Sequence, residues 1–307
     1  MDSCLRRNDE EADIILGNCY RVPNSFDGVG FAVIANDRSF RGWGPGRNSL
    51  QKVPPRFLLK KLLLLAPSSG QLLMIVAALI TAAGSGVRMG SRIPKQYLAL
   101  RGVPILARTL MAFEKHPLVD RIVVTVPPGD EDRFRSRVLD PFDLKKVIAV
   151  IAGGETRQAS VYYGLIRLEE TDIVAIHDGV RPLVSAEVIT ATIRAAESTG
   201  AALACVPVRD TVKKRTGAHL ETIPREDLWL AQTPQTFRTG LMLKAHRKAL
   251  EEGFIGTDDA MLVERLGLPV DVVEDSRDNI KITTPEDLEL AGMLLERQEV
   301  VDLSVLA

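Results

Sequence analysis

The feature that most constrains the fold is the stretch from Ile75 to Leu98. Its opening apolar run, Ile75 to Ile80, leads almost directly into Ala82-Ala83-Gly84-Ser85-Gly86. An unbroken apolar run of strand length belongs in a parallel sheet covered on both faces. The small residues behind it let backbone N–H groups come close to a ligand. Arg88, Arg92 and Lys95 follow, and Pro94 stops a helix from running straight out of the loop. A strand that ends in such a loop, with fixed cations beyond it, suits a polyphosphate.

Two familiar phosphate loops do not match. Gly84-x-Gly86-x-x-x-Gly90 follows the dinucleotide fingerprint only loosely. That fingerprint needs a helix opening inside the loop and an acidic residue closing the second strand. Pro94 opposes the first, and the second strand, Arg121 to Val126, ends in Pro127-Pro128-Gly129 with no carboxylate. A Walker loop needs Gly-Lys, a dipeptide that the sequence lacks. What stays open is an ordinary glycine turn against a nucleotide-phosphate loop of another kind.

From Met74 onward the pattern alternates. Strands are expected at 75–80, 121–126, 147–151, 172–177 and 201–206, with helices at about 105–115, 130–138, 158–169 and 185–198. Regular alternation predicts an α/β fold, a mainly parallel sheet with right-handed crossovers and a functional edge at the carboxyl ends of the strands. The 307 residues suffice for one large α/β domain or two small ones. Residues 1–73, rich in Arg, Gly, Asn and Pro and without sustained periodicity, are expected to be an N-terminal extension, either disordered or upstream of a true start near Met74. The main domain is then expected at 74–300, with no second domain expected after the last helix.

A net charge of −1 lacks the footprint of a nucleic-acid binder. Three dispersed cysteines (Cys4, Cys19, Cys205) fit no zinc or disulfide spacing, so a reducing, cytoplasmic setting is expected. Four scattered histidines form no metal cluster. No apolar run approaches the roughly 20 residues that span a bilayer, so no membrane role is expected.

Polar residues without a core role gather after the strands. Gly153-Gly154-Glu155-Thr156-Arg157-Gln158-Ala159-Ser160 follows the third; the glycines are either a turn or an exposed backbone that, with the Ser160 hydroxyl, reads a flat base. His177-Asp178-Gly179-Val180-Arg181 follows the fourth. Asp178 is a candidate Mg²⁺ contact, since magnesium on nucleotides takes one or two carboxylates plus phosphates, and His177 is assigned a structural hydrogen bond. Residues 207–228 break the rhythm, with a hairpin turning at Thr216-Gly217 and a return strand from His219 to Ile223. An isolated hairpin is barely stable in water, so the arm either packs on a second copy, offering Thr211 and Arg225 to a shared site, or stays a surface loop. A helix is expected at about 238–251. Thr257-Asp258-Asp259 reads as a cap for the next one, and Thr284-Pro285-Glu286-Asp287 opens the last. Lys281, in Asp278-Asn279-Ile280-Lys281, is expected on a short strand returning to the sheet.

Taken together, AAGSGVRM-x₄-PKQY, GGETRQASV, HDGVRP, PVRDTVK, TPQTF and DNIKIT, in this order from about Ile75 to Glu296, resemble the 2-C-methyl-D-erythritol 4-phosphate cytidylyltransferases. The resemblance implies a Rossmann-like nucleotidyltransferase fold dimerised through a swapped β-arm. It implies transfer from CTP to methylerythritol phosphate, with release of pyrophosphate and help from Mg²⁺, on the non-mevalonate isoprenoid route. By the same resemblance Ala82, Ala83, Gly84, Ser85 and Gly86 cradle CTP, and Gly154, Glu155 and Ser160 surround the cytosine. Asp178 and Gly179 lie at the ribose, Asp178 also at the metal. Arg88 and Lys95 stabilise the transition state. Arg225 and Lys281 position the methylerythritol phosphate, in a pocket shared with Arg181, Thr211 and Thr257, and Arg225 and Thr211 come from the neighbouring subunit. Glu155 stands where an aspartate is common and Gly179 where an alanine is common. The rivals are a cytidylyltransferase for another alcohol, such as ribitol 5-phosphate, and a non-catalytic nucleotide-binding regulator.

Overall fold

A computed structural model describes residues 74–84 and 93–305. The segment 1–73 and the candidate residues Ser85, Gly86 and Arg88 lie outside the described residues.

The strands, in chain order, are β1 (Val76–Thr81), β2 (Ala99–Leu100), β3 (Val103–Pro104), β4 (Arg121–Val126), β5 (Val147–Ala152), β6 (Ile173–Asp178), β7 (Ala201–Pro207), β8 (Val212–Thr216), β9 (His219–Ile223), β10 (Trp229–Arg238) and β11 (Asp271–Glu274). The helices are α1 (Ile105–Glu114), α2 (Glu131–Phe134, running into a π turn at Arg135–Leu139), α3 (Arg157–Ile166), α4 (Ala186–Thr199), α5 (Thr239–Glu251), α6 (Ala260–Glu264) and α7 (Pro285–Val305). No helix of the described residues is long and apolar enough to cross a membrane.

Seven strands form one sheet in the order β11-β7-β10-β6-β1-β4-β5, parallel throughout except for β10. The strand β1 carries the logic of the fold. Its residues alternate across the sheet, so Val76, Ala78 and Ile80 pack with α1 and α4 while Ala77 and Leu79 pack with α3 and α5. Both faces are therefore dry, as an all-apolar strand demands. Because β1 pairs with β4 on one side and β6 on the other, the connections leave it in opposite directions. A crevice opens beyond the carboxyl ends at such a switch point.

Local chemistry fixes the helix starts. Thr156 caps α3 by accepting from the Ala159 N–H at 3.0 Å, and Ser185 caps α4 through Val188. Asp258 accepts from the Met261 N–H at 3.0 Å and so caps α6, and Asp287 accepts from the Thr283 and Thr284 N–H groups at the start of α7. The caps expected at 257–259 and 284–287 are both present.

One expectation needs correction. Lys281 is not on a strand: Asn279 to Thr283 is irregular, tied to the sheet side by the Ile282 N–H to the Val180 carbonyl at 2.9 Å. TPQTF, for which no element was expected, belongs to β10, a ten-residue antiparallel strand between β6 and β7. Pro234 argues against a central strand, but the register shifts between Ala231 and Gln235, and the irregularity takes up the missing donor.

Candidate active site

The loops after β1, β5 and β6 surround a cavity of about 500 Å³. One wall is the backbone of Ala82 to Gly84. It is held from below by the Ala82 N–H, which donates to the Thr125 carbonyl at 2.8 Å, and from the side by Gln96. Gln96 is 1% exposed, and its Nε2 donates to the Ala82 carbonyl at 3.0 Å. The short 3₁₀ turn Lys95–Tyr97 is thereby locked to the loop, and Pro94 starts it. That places Lys95 over the cavity, with Nζ donating to the Ile282 carbonyl at 3.2 Å, one residue from Lys281. The two lysines that the sequence separates widely thus share one opening.

The opposite wall is Gly154, Glu155 and Ser160. The Ser160 hydroxyl accepts from the Gly154 N–H at 3.0 Å and donates to the Thr156 carbonyl at 2.9 Å, so it shapes this loop. Gly153 is required by closeness: a Cβ there would sit 2.3 Å from the Ala83 Cβ, so the two walls touch at this point.

Asp178, at the end of β6 and 6% exposed, forms the floor. Lys281 Nζ lies 2.9 Å and Arg181 Nε 3.4 Å from its Oδ2, and Arg157 Nε lies 3.4 Å from its Oδ1. Burial pushes this carboxyl up, but Arg157, Lys281 and Arg181 outweigh it and hold the group well below the usual carboxylate range. Arg157 also reaches Asp259, with Nη2 2.7 Å from Oδ2. Burial pushes Asp259 up against the pull of Arg157. His177 is fully buried, with Nε2 3.1 Å from the Arg181 carbonyl and Nδ1 2.9 Å from the Thr233 hydroxyl. Burial lowers it to about 4, so it is a neutral structural histidine, as expected.

The remaining candidates sit off the cavity wall. Gly179 is buried beneath it, donating to the Thr81 carbonyl at 2.9 Å and accepting from Thr109 at 3.1 Å. Arg181 lies behind Asp178, its Nη1 donating to the Asn279 carbonyl at 2.6 Å. Thr257 is exposed on the loop before α6. Thr211 and Arg225 are exposed on the β8–β9 arm, where Arg225 bonds the Arg209 carbonyl. Arg157, Gln96, Thr283 and the buried Asp259 are functional candidates that sequence reasoning left without a role. The motifs GGETRQASV, PKQY, DNIKIT and Thr257-Asp258-Asp259 contained all four.

The geometry suits a nucleoside triphosphate: the small-residue loop Ala82 to Gly84 on one side, Gly154 and Glu155 on the other, and cations above a carboxylate. Among the described residues no cluster of His, Cys, Asp and Glu could hold a metal by itself. The model of the 2-C-methyl-D-erythritol 4-phosphate cytidylyltransferase family matches residues 76–297. The chain is 48% identical over 227 residues to the enzyme of that name from Pelotomaculum thermopropionicum, covering 73% of this chain and 95% of that one. It is 50% identical over 225 residues to that from Geotalea uraniireducens, covering 72% and 97%. Among solved structures, it is similar to 4-diphosphocytidyl-2C-methyl-D-erythritol synthase from Anaerococcus prevotii at TM-score 0.66 and 33% identity, covering 73% and 97% of the two chains. It is also similar to the Thermus thermophilus cytidylyltransferase at TM-score 0.61 and 38% identity, covering 73% and 100%.

Proposed function

The chain belongs to the 2-C-methyl-D-erythritol 4-phosphate cytidylyltransferase family, and from that premise we propose how its own residues divide the work of joining CTP to methylerythritol phosphate. A phosphate oxygen of the second substrate attacks the α-phosphorus of CTP in line. One P–O bond forms, the bond to the pyrophosphate breaks, and 4-diphosphocytidyl-2-C-methyl-D-erythritol and pyrophosphate leave. Little covalent chemistry falls to the protein, so positioning and electrostatics dominate.

The triphosphate lies along Ala82 to Gly86. Lys95 and Arg88 stabilise the charge that develops on the bridging and equatorial oxygens. The cytosine sits against Gly154 and Glu155, in the loop that Ser160 holds, and Asp178 faces the ribose. Lys281 meets the incoming phosphate from above Asp178. Gly179 and Arg181 act from beneath, Gly179 through its backbone and Arg181 by fixing both Asp178 and the Asn279 carbonyl that carries the Lys281 segment. Thr257 lies at the outer rim. One buried carboxylate fits a magnesium ion whose other ligands are phosphate oxygens. Asp178 would hold such an ion, which when bound supplies countercharge to the phosphates.

The arm completes the site from a second copy of the chain. Its strands pair only with each other within the described residues, and Leu220, Trp229 and Leu230 at its tip and base are exposed. A homodimer covers them and delivers Arg225 and Thr211 to the neighbour's methylerythritol phosphate. Residues 74–300 form the catalytic domain, and the cytoplasm is its compartment, where the buried Cys205 thiol stays reduced.

The observation that carries this reading is the meeting of Lys95, Lys281 and Asp178 around one cavity at the switch point. Pyrophosphate release with each nucleoside triphosphate and each polyol phosphate tests it. CTP with methylerythritol phosphate should exceed ribitol 5-phosphate and every other pair, and Lys95→Ala should lose about 10²–10³ in kcat. A Lys95→Ala enzyme with unchanged kcat would overturn the assignment.

A further inference from the structure

Asp178 is gripped unevenly. Lys281 and Arg181 both sit on Oδ2, whereas among the described residues Oδ1 faces only Arg157, at a loose 3.4 Å. Arg157 leans the other way, making its short contact, 2.7 Å, to Asp259 Oδ2. The first is a hydrogen bond at its long limit; the second is the closer ion pair, although it does not meet hydrogen-bond geometry and leaves Asp259 Oδ2 buried without a hydrogen-bond partner. Arg157 lines the cavity, while Asp259 lies behind it, 1% exposed.

Asp259 is itself immobilised. Gln235 Oε1 accepts from the N–H groups of Asp259 and Ala260 at 3.0 and 2.9 Å. Gln158, beside Arg157, donates to the Phe254 carbonyl at 3.0 Å and accepts from the Gly256 N–H at 2.8 Å. The start of α3 and the loop before α6 are therefore joined, and Arg157 is strung between two fixed carboxylates. A guanidinium is a planar fork that closes bidentately on a carboxylate when nothing restrains it. Closure on Asp178 would cover Oδ1.

We propose that Asp259 is a positioning residue: it draws Arg157 back so that Asp178 Oδ1 stays open to the divalent cation arriving with CTP. This rests on the reading of Asp178 as the metal contact and extends it to a residue that touches neither metal nor substrate. Asp259 also balances the charge of Arg157, so the strut adds no net charge to a floor already supplied with Lys281 and Arg181.

The test is calorimetric titration of CTP into the full chain, once with Mg²⁺ and once with a chelator, and the readout is the ratio of the two affinities. Asp178→Asn should remove the magnesium advantage. Asp259→Asn should cut it by about 10- to 100-fold, as loss of an outer-shell partner does. In the double variant Asp259→Asn/Arg157→Gln, with no arginine left to close, the ratio should return to within about threefold of wild type. An Asp259→Asn protein that binds CTP more weakly by the same factor in both media shows a merely structural role and overturns the proposal. So does a double variant no better than the single one. Should Asp259→Asn not fold, the double variant, which buries no unpaired charge, decides alone: a ratio lowered tenfold or more refutes the idea. If Asp178→Asn keeps the full magnesium advantage, the assignment of Asp178 has failed as well. If it loses the advantage while Asp259→Asn keeps it, only the positioning role has failed.

Discussion

Replacing Gly153 by alanine tests the closeness of the two cavity walls. The added Cβ would lie 2.3 Å from the Ala83 Cβ and 2.8 Å from the Ser160 Oγ. Carbon atoms rest at about 3.5–4.0 Å, so roughly 1.2 Å or more must be found. Neither neighbour has a flexible end to swing away. Ala83 Cβ moves only with its backbone, and the Ser160 hydroxyl is engaged by Gly154 and Thr156. The loop after β1, from Ala82 to Gly84, must shift instead. Overpacking of this size costs about 1–3 kcal/mol, which for a domain of this length lowers Tm by about 2–12 °C. The kinetic effect should be larger, because a misplacement of about 1 Å at a reacting centre costs on the order of 10²-fold. Scanning calorimetry gives the first quantity, and pyrophosphate release at varied CTP gives kcat/KM for the second. Adding Ala83→Gly removes the tighter clash but not the one at Ser160, so it should recover part of the loss. A Gly153→Ala enzyme with unchanged Tm and kcat/KM would refute the contact between the walls.

Gln96→Leu removes the donor that ties the Lys95 turn to the Ala82 carbonyl. With about 1–2 kcal/mol lost, KM for CTP should rise roughly tenfold, and an unchanged KM would refute the tie. Arg225→Ala should raise KM for methylerythritol phosphate and leave KM for CTP alone, with sedimentation still showing a dimer; equal effects on both substrates would contradict its place on the arm. The buried histidines set the acid limit of stability. His177 and His246 are each lowered by burial from an ordinary 6.5 to about 4. Below about pH 6.5 the unfolded chain takes up protons that the folded one refuses, so their contribution is present above that pH and is lost as pH falls towards about 4, by roughly 3 kcal/mol each. His246 stacks on Tyr162, and His246→Phe should therefore flatten the fall in Tm between pH 7 and 4.5; an unaltered slope would refute the assignment.

The fold was legible wherever an apolar run had both faces to bury. β1, β4, β6 and β7 fall within a residue of their expected bounds, because nothing but a sheet interior accepts such sequences, and β5 matches its bounds as well although it lies at the sheet edge and is only partly buried. β10 was hidden for the opposite reason. Its first residues are exposed, Pro234 interrupts it, and its place between β6 and β7 is fixed by partners that no local pattern names. β11 is short, half-exposed and at the sheet edge, so it carried little signal of its own.

The same physics sorts the site. Asp178, Gly154 and Ala82 to Gly84 could be found because a strand's end fixes where its loop begins, and Lys95 because Pro94 starts its turn. Lys281 needed more: its segment has no periodicity and reaches the cavity through single bonds at Val180 and Lys95. Asp259 and Arg157 meet only because β6, β10 and two helix starts converge. One signal was present even so. Thr257-Asp258-Asp259 holds two acids where a helix cap needs one, and Asp258 alone does the capping. A surplus carboxylate beside an apolar helix start must either point to solvent or find a buried cation, and GGETRQ holds an arginine at the matching position of the opposite wall.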